Sequence, residues 1–358
     1  MSTALRPTTR APEGIARQRV VRWQHPLPAS WRYRPHALIL VLATGGAVVA
    51  VAAWSMTLGD YPVAVGEVVA SLLGLGPGEH DLIVRALRLP RMLTAIGVGA
   101  ALAISGALFQ GLVRNPLVSP DVIGVNGGAT LAAVTLIAVT RTPAMVPLGA
   151  LVGALGAAAL LYGLTWRRGV SGERLVLVGI AVEAVLTALT TMVFVRFPIE
   201  TVAPAVLWAT GTLHARTFTH VTWLAVGLVV LVPLAAVALP RLRALQLGDE
   251  AATAVGLRVQ PTRAAIMALA AGLAAVAVSA AGPVAFVALM VPHLARLLLG
   301  TPTLGVLTLT ALLGALLVLL SDVLAQHALP ASLPVGIVTA AVGAPYFLFL
   351  LHRIHRGS

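Results

Sequence analysis

The sequence predicts an all-α fold, a polytopic membrane bundle of about ten transmembrane helices, and three observations carry that prediction. Of 358 residues, 59% are hydrophobic and only 10% are charged, whereas a soluble domain carries about 25% charged residues. The apolar residues gather into runs free of Asp, Glu and Arg: Ala37–Gly59, Met92–Val113, Val122–Thr140, Val221–Leu239 and Pro302–Leu320. Each is close to the roughly 20 residues that a helix needs to cross hydrocarbon. None alternates strictly as a barrel strand would, so helices must satisfy the backbone in lipid.

The chain opens with a polar tail, residues 1–35, carrying Arg6, Arg10, Arg17, Arg19, Arg22, Arg32 and Arg34. It lacks the short apolar core and cleavage site of a secretory signal and is read as a flexible basic segment on the cytoplasmic side. The rest, 36–358, forms a single transmembrane domain. Cutting at charges and at Pro/Gly clusters gives spans at 36–58, 91–112, 121–140, 145–165, 174–195, 219–239, 262–281, 283–299, 302–322 and 333–352. The tract 262–299, broken at Gly282–Pro283, fits either two short spans or one span with a re-entrant piece.

Arginine placement fixes the orientation. All 24 basic residues are arginine, and with both termini cytoplasmic the outer segments hold only Arg85, Arg88, Arg91, Arg141, Arg196 and Arg216. Basic residues concentrate on the cytoplasmic side of membrane proteins, so this threading is the consistent one.

Three loops are more than turns. Outside, Val63–Leu73 is amphipathic, and Ala205–Leu213 has the composition of a short helix. Inside, Leu247-Gly248-Asp249-Glu250-Ala251-Ala252-Thr253-Ala254-Val255-Gly256 places two acids in a first helical turn, where the dipole favours them, and a glycine where a helix would end. A short helix displayed on a cytoplasmic loop suits docking to another protein.

Several residues invite chemistry. Pro116 ends a helix and restricts Asn115, so Arg114-Asn115-Pro116 reads as a cytoplasmic turn, with gating as the alternative. Pro292, His293 and Arg296 stand near an inner helix end. One histidine without a second ligand at suitable spacing does not make a metal site, and His293 with Arg296 is read as a C-terminal cap. Glu183 and Asp322 fall in or beside apolar spans, where acids are expensive. Glu183 either faces the bundle, accepting a bond from Thr187, or lines a path. The chain has no cysteine, which excludes disulfides and thiolate metal sites. It has no lysine either, which excludes a G-x-x-x-x-G-K-[ST] phosphate loop. Any ATP site lies in a partner.

Four ordered segments go further. Arg88-Leu89-Pro90-Arg91 leads into Gly99–Gly106 and Phe109-Gln110. Arg114-Asn115-Pro116-Leu117 is followed by Pro120, Gly124 and Gly127-Gly128-Ala129. Third comes the Leu247–Gly256 loop. The fourth joins Gly282-Pro283-Val284-Ala285-Phe286-Val287, Val291-Pro292-His293 and Arg296 to Leu333–Ala340 and Gly343-Ala344-Pro345. In this order and spacing the set resembles the FecCD-type permease family of iron–siderophore, haem and vitamin B12 importers, over about residues 60–352.

The resemblance implies the vitamin B12-importer-like fold and a permease that hydrolyses nothing. It also implies a second permease subunit, two ATP-binding subunits that hold ATP and Mg, and an extracytoplasmic binding protein that delivers a ferric siderophore. It assigns Arg88 and Arg91 to docking of acidic residues on the binding protein, for which the bidentate guanidinium is suited. Leu247–Gly256 becomes the helix that couples to the ATPase, with Ala251, Ala252 and Ala254 as its docking face. Asp322 matches a family aspartate that fixes helix packing near the outer mouth. Gln326 departs from a family arginine, which points toward a non-identical permease partner. Haem or cobalamin import remains the alternative within the family. An ion-coupled secondary transporter is the alternative outside it, with Glu183 as its strongest intramembrane acid.

Overall fold

The computed structural model describes residues 19–23, 29–33, 35–75, 78, 80–140, 143–166, 172–328 and 331–356. Within the tail read as flexible, Arg19–Trp23 (β1) and Ala29–Tyr33 (β2) pair as an antiparallel ladder with Arg19 opposite Tyr33 and Trp23 opposite Ala29. The remainder is helical: α1 (Pro35–Thr57), α2 (Val65–Leu73), a π-helical entry (Leu82–Arg88) into α3 (Leu89–Val113), α4 (Val125–Thr140), α5 (Val146–Thr165), α6 (Gly172–Arg196), α7 (Ile199–Ala209), α8 (Phe218–Gln246), α9 (Asp249–Ala254), α10 (Val259–Ala281), α11 (Val287–Leu299), α12 (Leu304–His327) and α13 (Val335–Arg356).

Each of the ten expected spans finds its helix: α1, α3, α4, α5, α6, α8, α10, α11, α12 and α13. Among the described residues, seven helices are long and apolar enough to cross a membrane alone, and α4, α11 and α13 contribute shorter apolar stretches. The outer-loop helix α7 starts six residues earlier than Ala205. Pro198 precedes its first turn, and Gly211, in the left-handed region at φ 76°, ends the helical path. Thr212 then donates its amide to Ala281 at the end of α10, so the last four residues of the expected segment, 210–213, lie outside the helix.

At 1.5 Å per residue, the 13 residues of α11 extend about 20 Å, short of the roughly 30 Å hydrocarbon core. The non-helical stretch 282–286 makes up the difference, with Gly282 and Phe286 in the left-handed region at φ 74° and 66°. Irregular backbone is tolerated at membrane depth only where protein covers it, and Gly282, Val284 and Val287 are buried. The tract 262–299 is therefore one full span followed by a broken one.

Helix α3 is the axis of the bundle. Most of its apolar window, 72%, is buried, against 6% for α1 at the periphery. Small residues make this possible, since they let helix backbones touch without a hydrophobic drive between helices in lipid. A Cβ on Gly99 would overlap the Gly314 carbonyl of α12, and one on Gly106 would overlap the Ala288 carbonyl of α11. Both obstacles are backbone, which cannot swing aside. Gly106→Val is expected to destabilise by about 3 kcal/mol or more, beyond ordinary overpacking, and to abolish the monodisperse peak in detergent size-exclusion chromatography.

Candidate functional site

The end of the bundle that the arginine pattern places outside is built around α3, α12 and the loops beside them. Arg88 donates to the carbonyls of Met56 (2.7 Å) and Tyr61 (2.5 Å), closing the α1–α2 loop. Arg91 engages Asp322 as a fork: Nε lies 3.2 and 3.0 Å from the two carboxylate oxygens, and Nη2 lies 2.8 Å from Oδ1. Asp322 is 4% exposed. Gln326, one helical turn along, donates to its Oδ2 at 2.8 Å. The position where the resemblance suggests an arginine thus holds a neutral donor that completes the carboxylate's shell. Both guanidiniums expected to meet a binding protein have intramolecular partners, and Arg91–Asp322 ties α3 to α12.

Sequence reasoning did not single out two further arginines here. Arg85 donates to Leu72 O and lies 3.9 Å from Asp81. Arg216 donates twice to Thr212 O, at 3.2 and 3.0 Å. Burial, then the nearby charge of Arg91, pulls the Arg216 guanidinium down to about 10. The topology count had already placed both outside, and that was the available signal.

On the inner face, α9 has the expected form. Asp249 and Glu250 occupy its first turn, and Asp249 pairs with Arg263 of α10 at 2.8 Å. Gly256 lies at φ 82°. The amides of Gly256 and Leu257 return to the carbonyls of Thr253 and Ala252, the paired bonds of a Schellman stop. One residue departs from expectation. Ala252 is fully buried because its side of the helix packs onto its own subunit, so it cannot belong to a docking face. Leu247 and Val255 are 74% and 70% exposed, and with Ala251 and Ala254 they form the outward surface.

On the side of the bundle that the arginine pattern places inside, a cleft of about 690 Å³ brings together residues far apart in sequence: Gln110, Arg114 to Pro116, Gln246, His293 and Arg296. Arg114 takes the left-handed conformation at φ 58° and ends α3. Asn115 Oδ1 then accepts the Leu117 amide at 2.9 Å, an Asx turn ahead of Pro116. Of the two residues read as a C-terminal cap, Arg296 does stand in the last turn of α11, whereas His293 does not. Helix α11 runs on to Leu299, so His293 sits mid-helix with its ring edge-on to Tyr346. Arg296 holds Gln110 Oε1. Pro292 has no amide to give the Ala288 carbonyl. Gln110 Nε2 supplies donors there instead, 3.4 Å from Ala288 O and 2.9 Å from Leu289 O. Gln110→Leu removes this brace and leaves Arg296 short of an acceptor. It is expected to cost about 1–3 kcal/mol, read as a lowered unfolding midpoint.

Within the membrane, Glu183 on α6 takes a long hydrogen bond from Thr187, 3.5 Å, and lies against Gly127 of α4. It is half-buried. Asp121, beside it, was not singled out from sequence. An acid heading an apolar run, Asp121-Val122-Ile123-Gly124, was the available signal.

The FecCD transport family matches residues 47–353. The chain is 39% identical over 318 residues to the ferric enterobactin transport system permease protein FepG of Escherichia coli K12, covering 88% of this chain and 96% of that protein. It is also 39% identical over 319 residues to the achromobactin transport system permease protein CbrC of Dickeya dadantii 3937, covering 88% and 89%. In three dimensions it resembles a metal-chelate type ABC transporter solved in an inward-facing conformation, with a TM-score of 0.80, 28% identity, and coverage of 88% of this chain and 99% of that one. With these matches spanning nearly the whole bundle, the chain belongs to the FecCD transport family: it is a membrane-spanning ABC importer permease, and ATP hydrolysis lies in a separate subunit.

Proposed function

We propose that this permease imports ferric siderophores, with both termini cytoplasmic, in a complex with a second permease subunit, two ATP-binding subunits and an extracytoplasmic binding protein. The observation that carries the reading is α9, a capped helix that turns Leu247, Ala251, Ala254 and Val255 away from its own subunit. A helix laying an exposed face in a partner's groove is a common recognition mode. The siderophore relatives supply the substrate class.

In this reading ATP and Mg bind the partner ATPases, whose closure moves α9 and, through α8 and α10, the bundle. The binding protein docks over the outer mouth. Arg85 and Arg88 contribute there, while Arg91 acts mainly as a brace for Asp322. Few charges line the spans, which leaves a weakly binding route for a bulky chelate between two permeases.

The substrate is tested in a strain lacking this gene, offered iron-loaded siderophores, haem and cobalamin separately as labelled compounds. Uptake of a ferric siderophore alone should be lost on deletion and return with the gene. Loss confined to haem or cobalamin uptake would move the substrate to that class.

A further inference from the structure

Two carboxyl groups and one buried amide meet where α4 begins, in the apolar part of the bundle. Asp121 accepts a hydrogen bond from Asn126 Nδ2 at 2.5 Å and faces the backbone amide of Phe286, the left-handed residue ahead of α11. Asn126 is 7% exposed. Its Oδ1 is buried without a hydrogen-bond partner among the described residues, while the Glu183 carboxylate accepts from Thr187 and from the Gly127 amide with its Oε2 buried. That Glu183 oxygen touches Gly127, the next residue, at a place where a Cβ would overlap it. Asp121 and Glu183 are near enough to interact as charges. Two carboxylates and a partnerless amide oxygen thus converge from the pre-α4 turn, α4 and α6.

Among the described residues, no salt bridge joins an arginine or histidine to Asp121 or Glu183 in this oxygen-rich corner. The N-terminus of α4 offers only about half a charge, against two carboxylates. The arginines on neighbouring elements, Arg174, Arg196 and Arg263, sit at helix ends, as do Glu173, Glu200 and Tyr162. An isolated acid at membrane depth normally signals a pathway or a bound ion, and interrupted membrane helices commonly frame Na⁺ or H⁺ sites. No third His, Cys, Asp or Glu joins the pair among the described residues, which favours one monovalent charge over a divalent metal.

We propose that Asp121, Asn126 and Glu183 form a site for one small monovalent cation, a sodium ion or a proton, that clasps α4, α6 and the broken stretch before α11. This goes beyond the import reading and does not depend on it, because the site lies within one subunit.

The test uses the purified full chain in detergent. Its unfolding midpoint is followed in sodium chloride and in choline chloride of equal ionic strength, at about pH 8 and about pH 5.5. A bound ion raises the midpoint by mass action, here by roughly 2–5 °C. A rise with sodium at the higher pH assigns the ion as sodium. A rise on acidification without sodium, with a protonated-carboxyl infrared band, assigns it as a proton. In either case Glu183→Gln should abolish the response, because its amide supplies a donor permanently. A wild-type midpoint that is the same in all four conditions overturns the proposal, as does a response that persists unchanged in Glu183→Gln.

Discussion

Replacing Asp322 with alanine is expected to destabilise the protein by about 3–5 kcal/mol, the range found when one partner of a buried ion pair is removed. The carboxylate is 4% exposed and accepts all the short bonds that the Arg91 fork makes. Its loss leaves a partly buried guanidinium near Arg216, a second cation. Gln326 loses its acceptor as well. The double replacement Arg91→Met with Asp322→Leu should recover most of that loss, because two apolar side chains of similar volume often replace a buried pair at little cost. Urea unfolding of wild type, Asp322→Ala and the double variant measures both values. If Asp322→Ala were as stable as wild type, the α3–α12 brace would carry no stability and Arg91 would be available for docking after all.

The second large effect separates two neighbouring alanines. Ala251→Trp adds bulk to the outward face of α9, and Ala252→Trp adds it to the side that packs onto the subunit. The first should leave the protein folded and lower transport-coupled ATP hydrolysis at least about tenfold, a loss of about 1.4 kcal/mol of coupling. The second should lower stability by about 1–3 kcal/mol through overpacking. Detergent melting curves beside stimulated ATPase rates distinguish the two. Equal stability with equal uncoupling in both variants would mean that α9 presents a different face from the one described.

Much of this was legible in the chain because lipid imposes simple rules. Apolar length and arginine bias gave ten spans, and the two terminators of α9, Asp249–Glu250 and Gly256, read correctly because capping is local. What escaped depends on residues distant in sequence. Gly211 and the bond from Thr212 to Ala281 close α7 at Ala209, four residues short of the expected Leu213. Ala252 and Ala251 are chemically identical, and only packing against the neighbouring helices says which is covered. His293 was read with Arg296 as part of a helix end, but only Arg296 lies in the last turn of α11. Here Gln110, from a helix nearly 180 positions earlier, supplies the donor that lets α11 continue. Glu183 was visible as an intramembrane acid, but that Asp121 lies beside it became visible only when α4 and α6 were brought together.

The central claim, a permease driven through α9 by separate ATP-binding subunits, is tested most directly by reconstitution. The chain, its permease and ATPase partners and the loaded binding protein are placed in proteoliposomes, and ATP hydrolysis and chelate uptake are measured together. Hydrolysis should rise on addition of the loaded binding protein, and uptake should cease without ATP. If this chain alone in liposomes takes up the chelate on a proton or sodium gradient without ATP, the account is contradicted.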